Sequence, residues 1–139
     1  IESLVALGSK LFAVVGGGMG IYQSADEGQS WVPANSGLPT GFVSSLIVVD
    51  TTLYASLNCT GTLYKSLDQG GTWIATNNGI VGYGASIIYS DGRMYLSTIA
   101  NNTNNQGSDV YSSDDGQNWT LIYGFSAPVY SAVLFTVEN

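Results

Sequence analysis

The side chains best suited to chemistry here are ten carboxylates, and three of them stand in matching settings. These are Ser24-Ala25-Asp26-Glu27-Gly28-Gln29-Ser30-Trp31, Ser66-Leu67-Asp68-Gln69-Gly70-Gly71-Thr72-Trp73 and Ser112-Ser113-Asp114-Asp115-Gly116-Gln117-Asn118-Trp119. A positioned Asp can act as a general acid or base, and two together can cut a glycosidic bond. The same residue types also build a turn. The Asp accepts hydrogen bonds from its own backbone, the Ser hydroxyl does likewise, and the Gly tolerates positive φ. The Trp then enters the next strand and buries a large ring. On this logic Asp26, Asp68 and Asp114 are structural, as are Ser24, Gly28, Trp31, Ser66, Gly70, Trp73, Ser112, Gly116 and Trp119.

The remaining acids form no pair. Glu27 and Asp115 neighbour two of the motif aspartates, and Asp50 and Asp91 read as turn formers. Glu2 and Glu138 lie near the ends of the sequence, leaving Asp109 beside a loop. No catalytic residue is therefore assigned. The sequence has no histidine, which excludes His-based triads and His metal sites. Cys59 is the single cysteine, so neither an intramolecular disulfide nor a four-cysteine zinc site can form. No metal and no cofactor is expected. Gly16-Gly17-Gly18-Met19-Gly20 is glycine-rich but lacks the Lys and following helix of a phosphate-binding loop.

Charge removes further classes. The net charge is −7, with only Lys10, Lys65 and Arg93 on the basic side. Phosphate neutralisation needs several cations, so nucleic acid and anionic membranes are not expected partners. No apolar run is long enough for a membrane-spanning helix, so no insertion is expected. Charged residues make up 9% of the sequence, and Gly, Ser, Thr, Asn and Tyr take their place. That balance fits a turn-rich β protein in an extracellular or cell-surface setting. Three Asn-x-Thr sequons begin at Asn58, Asn101 and Asn118. Asn101, in a polar loop, and Asn58 are the candidate glycosylation sites.

The elements that must hold these residues repeat with them. Trp31, Trp73 and Trp119 recur at the spacing of about 40 to 50 residues that marks propeller blades. Each repeat reads as four strands. First strands are expected at 3–7, 44–49 and 85–89, second strands at 10–15, 53–57 and 93–98, and third strands at 20–24, 62–66 and 109–112. Fourth strands are expected to begin at the three tryptophans. The expected fold is all-β: propeller blades of four antiparallel strands, as three repeats plus the first strand of a fourth. The blades span about 1–42, 43–84 and 85–128, with the extra strand at 129–137.

The three motifs resemble the BNR/Asp-box repeat of the superfamily that holds sialidases, xyloglucan-cleaving glycosidases, sortilin-type receptor ectodomains and a photosystem assembly group. The resemblance covers nearly the whole sequence. It implies that the boxes lie on the rim, between third and fourth strands, away from the ligand face. The second-to-third and fourth-to-first loops then form that face, with Tyr83, Asn101, Asn104, Asp109 and Tyr123 as ligand candidates. A carbohydrate or a peptide is the expected ligand. Sialidases of this kind clamp a carboxylate with several arginines, and Arg93 is alone. The assembly group relies on arginine-rich surfaces, which are missing too. A non-enzymatic extracellular binding or structural module is the first expectation. A fragment of a secreted glycoside hydrolase, with its catalytic residues elsewhere, is the alternative. Three blades cannot close a ring of 4 to 8. A homo-oligomer or a longer polypeptide is expected to complete it, and the start at Ile1 fits a processed or partial chain.

Overall fold

A computed structural model describes residues 1–58, 63–99 and 108–125. The expected extra strand at 129–137 falls outside these residues, as do Cys59, Asn101 and Asn104. The described residues form three antiparallel sheets of four strands each, every sheet in simple sequential order. The first holds β1 (Ser3–Leu7), β2 (Lys10–Val15), β3 (Gly20–Ser24) and β4 (Val32–Pro33). The second holds β5 (Val43–Val49), β6 (Thr52–Leu57), β7 (Leu63–Ser66) and β8 (Ile74–Ala75). The third holds β9 (Tyr83–Ser90), β10 (Arg93–Ile99), β11 (Asp109–Ser113) and β12 (Thr120–Gly124). This is the blade arrangement expected from the repeats. No helix long and apolar enough to cross a membrane occurs among the described residues.

Tight turns make each first hairpin. Gly8, Asp50 and Asp91 take positive φ at the turn, and at Asp91-Gly92 both residues do, which is the type I′ pattern. A period of two then sorts side chains between the faces of each sheet. In blade 1, Val5 pairs with Phe12 and Val14 with Ile21, on the face turned toward blade 2. They meet Leu46, Leu53, Ala55 and Trp73 in one buried cluster. In blade 2, Tyr54 and Leu63 face the other way and meet Ile87, Met94, Leu96, Tyr111 and Trp119 in a second cluster. The first strands lie side by side. The Ser3 hydroxyl donates to the Leu46 carbonyl at 3.4 Å, and the Ser44 hydroxyl to the Gly84 carbonyl at 2.8 Å.

Candidate functional site

The four-stranded up-and-down order gives each blade two ends. One end gathers the first-to-second and third-to-fourth turns, and with them Asp26, Glu27, Asp50, Asp68, Asp91, Asp114 and Asp115. The opposite end gathers the second-to-third and fourth-to-first loops.

At the turn end, blades 1 and 2 share one hydrogen-bond pattern. The Ser24 hydroxyl donates to Asp26 at 2.7 Å and accepts the Gly28 N–H at 2.8 Å. Asp26 also accepts the Ser30 N–H at 2.9 Å and its hydroxyl at 2.5 Å. Ser66, Asp68, Gly70 and Thr72 repeat these bonds. These donors hold the Asp26 and Asp68 carboxyls at a pKa of about 2, with the Ser30 and Thr72 groups the largest causes.

The third turn departs from the expected register. Ser113, not Ser112, donates to the turn carboxylate and accepts the Gly116 N–H, and that carboxylate is Asp115, not Asp114. Asp115 takes the N–H groups of Gln117 and Asn118 at 2.8 Å, which hold its carboxyl well below the usual range. Strand pairing fixes the shift: Leu11 faces Ser24, Leu53 faces Ser66, and Met94 faces Ser113. One residue is missing between Asp and Gly, at the position held elsewhere by Glu27 and Gln69, both at positive φ. Asp114 instead pairs with Arg93 at 2.6 Å in the open. The useful signal was Tyr-x-Ser-x-Asp, which aligns Tyr22, Tyr64 and Tyr111.

The tryptophans join the blades. The Trp73 indole N–H donates to the Ala34 carbonyl at 2.8 Å, and that of Trp119 to Thr76 at 3.2 Å. Their backbone N–H groups donate to Ser36 and Asn78. Trp31, in the first described blade, donates within its own turn, to Gly28, at 3.1 Å.

The loop end is nearly free of charge: among the described residues its only carboxylates are Glu2 and Asp109. Between blades 1 and 2 a cavity of about 210 Å³ is lined by Gly18, Met19, Gly20, Leu38, Thr40 and Val43. Exposed Met19 and Phe42 flank it. Asn35 fixes its floor by accepting the Ile21 N–H at 2.7 Å. At blade 3, Tyr123 and Phe125 stack edge to face with centroids 4.8 Å apart, and both are exposed, 60% and 45%. The Asp109 strand partner is Gly124, so its carboxylate lies on the face of the sheet opposite these rings. Asp109 accepts the Tyr111 hydroxyl at 3.3 Å, and burial pushes the Tyr111 phenol pKa up. Tyr83 is half-buried in β9. Asn58 is exposed, with its N–H on the Phe42 carbonyl. Sequence reasoning set Glu2 aside as terminal, yet its carboxylate lies against Gly16 in the blade 1 loop. Its place just before β1 was the signal. Phe42 was also missed, because fourth-to-first loops have no fixed pattern.

No protein-family model matches the chain, and no curated protein matches it in sequence. Solved structures do. A GH74 enzyme from Niastella koreensis superposes with a TM-score of 0.65 at 23% identity, covering 84% of this chain and 20% of that one. The GH74 xyloglucanase from Xanthomonas campestris gives 0.63 at 19%, covering 83% and 20%. YCF48 bound to D1 peptide gives 0.59 at 21%, covering 86% and 38%. The fold is that of a β-propeller, and the chain spans well under half the length of these neighbours.

Proposed function

We propose that this propeller segment is an extracellular module that binds an uncharged carbohydrate at its loop end without cleaving it. The carrying observation is the exposed Tyr123–Phe125 pair, on a surface almost free of ionic groups. Aromatic faces pack against the C–H faces of sugars. The turns of blades 1 and 2 resemble the BNR/Asp-box repeat, and the third is a version one residue shorter; that resemblance implies a ligand face at this end. Low charge and the sequons at Asn58 and Asn101 support the extracellular setting. Affinity electrophoresis on neutral polysaccharides, xyloglucan included, tests the reading. Retarded migration that Tyr123→Ala and Phe125→Ala each weaken by about tenfold is expected, since stacked rings contribute roughly 1–2 kcal/mol. Unretarded migration on every neutral glycan rejects it.

A second reading is favoured by the likeness to GH74 enzymes: a segment of a glycoside hydrolase. It requires two carboxylates across a bond, and the loop end holds Glu2 and Asp109 in separate blades. Release of reducing sugar from xyloglucan, abolished by Asp109→Asn, would establish it. The third option, a peptide ligand, rests on the YCF48 neighbour alone.

A further inference from the structure

The junction between blades 2 and 3 carries the one Asn-Gly pair in the sequence, Asn78-Gly79. The pair forms the corner of a turn closed by the Ile80 N–H on the Asn77 carbonyl at 3.1 Å, with Gly79 at φ +89°. Both residues are exposed. The Gly79 N–H donates to no group among the described residues. A free backbone nitrogen with no side chain beside it can come close to the preceding side-chain amide.

Asn78 also couples the two blades. Its carbonyl accepts the Trp119 N–H at 3.0 Å, and its side-chain amide donates to Asn118 Oδ1 at 2.8 Å. Asn118 Nδ2 donates in turn to Asp115 at 2.8 Å. This relay has a direction. An ionised carboxylate only accepts, so Asp115 turns the Asn118 NH2 toward itself and leaves Oδ1 facing residue 78. Residue 78 must then be a donor. The first junction lacks the relay: Ser36 stands in the place of Asn78, ahead of Gly37, and accepts the Trp73 N–H.

We infer that Asn78 is a site of spontaneous deamidation, and that its loss of ammonia loosens blade 3 from blade 2. The Gly79 nitrogen gives its proton to hydroxide and attacks Asn78 Cγ. The Cγ–Nδ2 bond breaks, and Nδ2 takes up a proton and leaves as ammonia. Water opens the resulting succinimide ring at one of its two carbonyls, giving aspartate or isoaspartate, with no oxidant or reductant involved. Aspartate sets a carboxylate against Asn118 Oδ1, two acceptors with no proton between them. Turning Asn118 over would only move the clash to Asp115. Isoaspartate lengthens the main chain by one carbon and converts the carbonyl that holds the Trp119 N–H into a side-chain carboxylate. The charged groups tied to the facing turn are Asp115, the Asp114–Arg93 pair, and Lys65, which reaches Gln117 from β7 at 3.3 Å.

The test incubates the folded full chain at mildly alkaline pH and samples it over days. Trypsin cuts after Lys65 and Arg93 and so releases Ser66–Arg93 as one peptide. Fragmentation of that peptide places the amide-to-acid mass shift, and isoaspartyl methyltransferase labelling detects isoaspartate. Conversion at Asn78 is expected, faster as pH rises, in step with a population that melts about 5 °C or more below the starting chain. Asn78→Ser, which copies the first junction, should keep its midpoint through the same incubation. Asn78→Asp supplies one product directly. Folding disfavours the charged form of that carboxyl, so its folded pKa is raised and the deficit grows as pH rises through the carboxylate range. Its midpoint should lie about 5 °C below that of the natural chain at neutral pH, and the gap should close below about pH 4, where the protonated carboxyl again donates to Asn118. Conversion only after the chain is unfolded in urea overturns the inference, because the fold then shields the site. Conversion that leaves the midpoint unchanged overturns it too, as does an Asn78→Asp deficit that does not vary with pH.

Discussion

At the scale of single residues, the three turn aspartates are acceptors saturated by their own turns, which leaves little of them for a ligand. Their pH behaviour follows. Asp26 and Asp68 are held at about 2, below the ordinary 3.8, so the folded state binds a proton less readily than the unfolded chain. The stability they lend is full above about pH 4 and is lost as pH falls toward 2. Thermal melting across that window should show a falling midpoint, and Asp26→Asn with Asp68→Asn should flatten the fall. An unchanged slope in the double variant contradicts the assignment. The third turn gives a sharper comparison. Ser113→Ala and Asp115→Asn should each lower the melting midpoint by several degrees. Asp114→Asn should barely move it, because that carboxylate meets only Arg93, in the open. If Asp114→Asn proves the costlier, the turn register is wrong.

At the scale of elements, hairpins and strands were legible in the sequence because alternation and turn residues are local signals. β1, β2 and β3 match their expected bounds, and the other first, second and third strands differ by at most two residues at either end. The fourth strands begin one residue after each Trp; at Trp73 and Trp119 both the indole and the backbone N–H are committed to the preceding blade. The third turn was misread because Gly116 and Trp119 keep their spacing to each other, which hides a deletion on the Asp side. The joining of blades was not legible either. Nothing local marks Gly37 or Gly79 as a contact for a tryptophan some forty residues on. Gly79 has φ +89°, and a Cβ there would lie 2.5 Å from the Trp119 carbonyl oxygen. Gly79→Ala should therefore cost about 2 kcal/mol or more, by strain and collision together. Gly8 has φ +60° with open space around it, so Gly8→Ala should cost only about 1 kcal/mol. Denaturant midpoints for the two variants separate the contributions, and equal losses would remove the junction from the explanation.

At the scale of the whole molecule, the described residues form three blades, each packed on the next through an apolar cluster, so stability sums over blades and junctions. Blade 2 takes part in both apolar clusters, through Leu46, Leu53 and Ala55 on one face and Tyr54 and Leu63 on the other. Blade 1 contributes one face only, and its other face leaves Leu4 in solvent. Blade 3 likewise enters one cluster. Opening an end blade breaks one junction, whereas opening blade 2 breaks two. Native-state hydrogen exchange should therefore find the slowest amides in β5, β6 and β7, with β1, β2 and β3 exchanging through a lower-energy opening. The two-residue strands β4 and β8 should exchange fastest among the strands, since each pairs along one side over two residues. Trp73→Phe breaks the Ala34 hydrogen bond, so it should lower protection in blade 1 before it lowers protection in blade 3. Trp119→Phe should do the reverse, loosening blade 3 while blade 1 keeps its protection. Uniform exchange across all three blades would mean one cooperative unit, and the nearest-neighbour account of the molecule would fail.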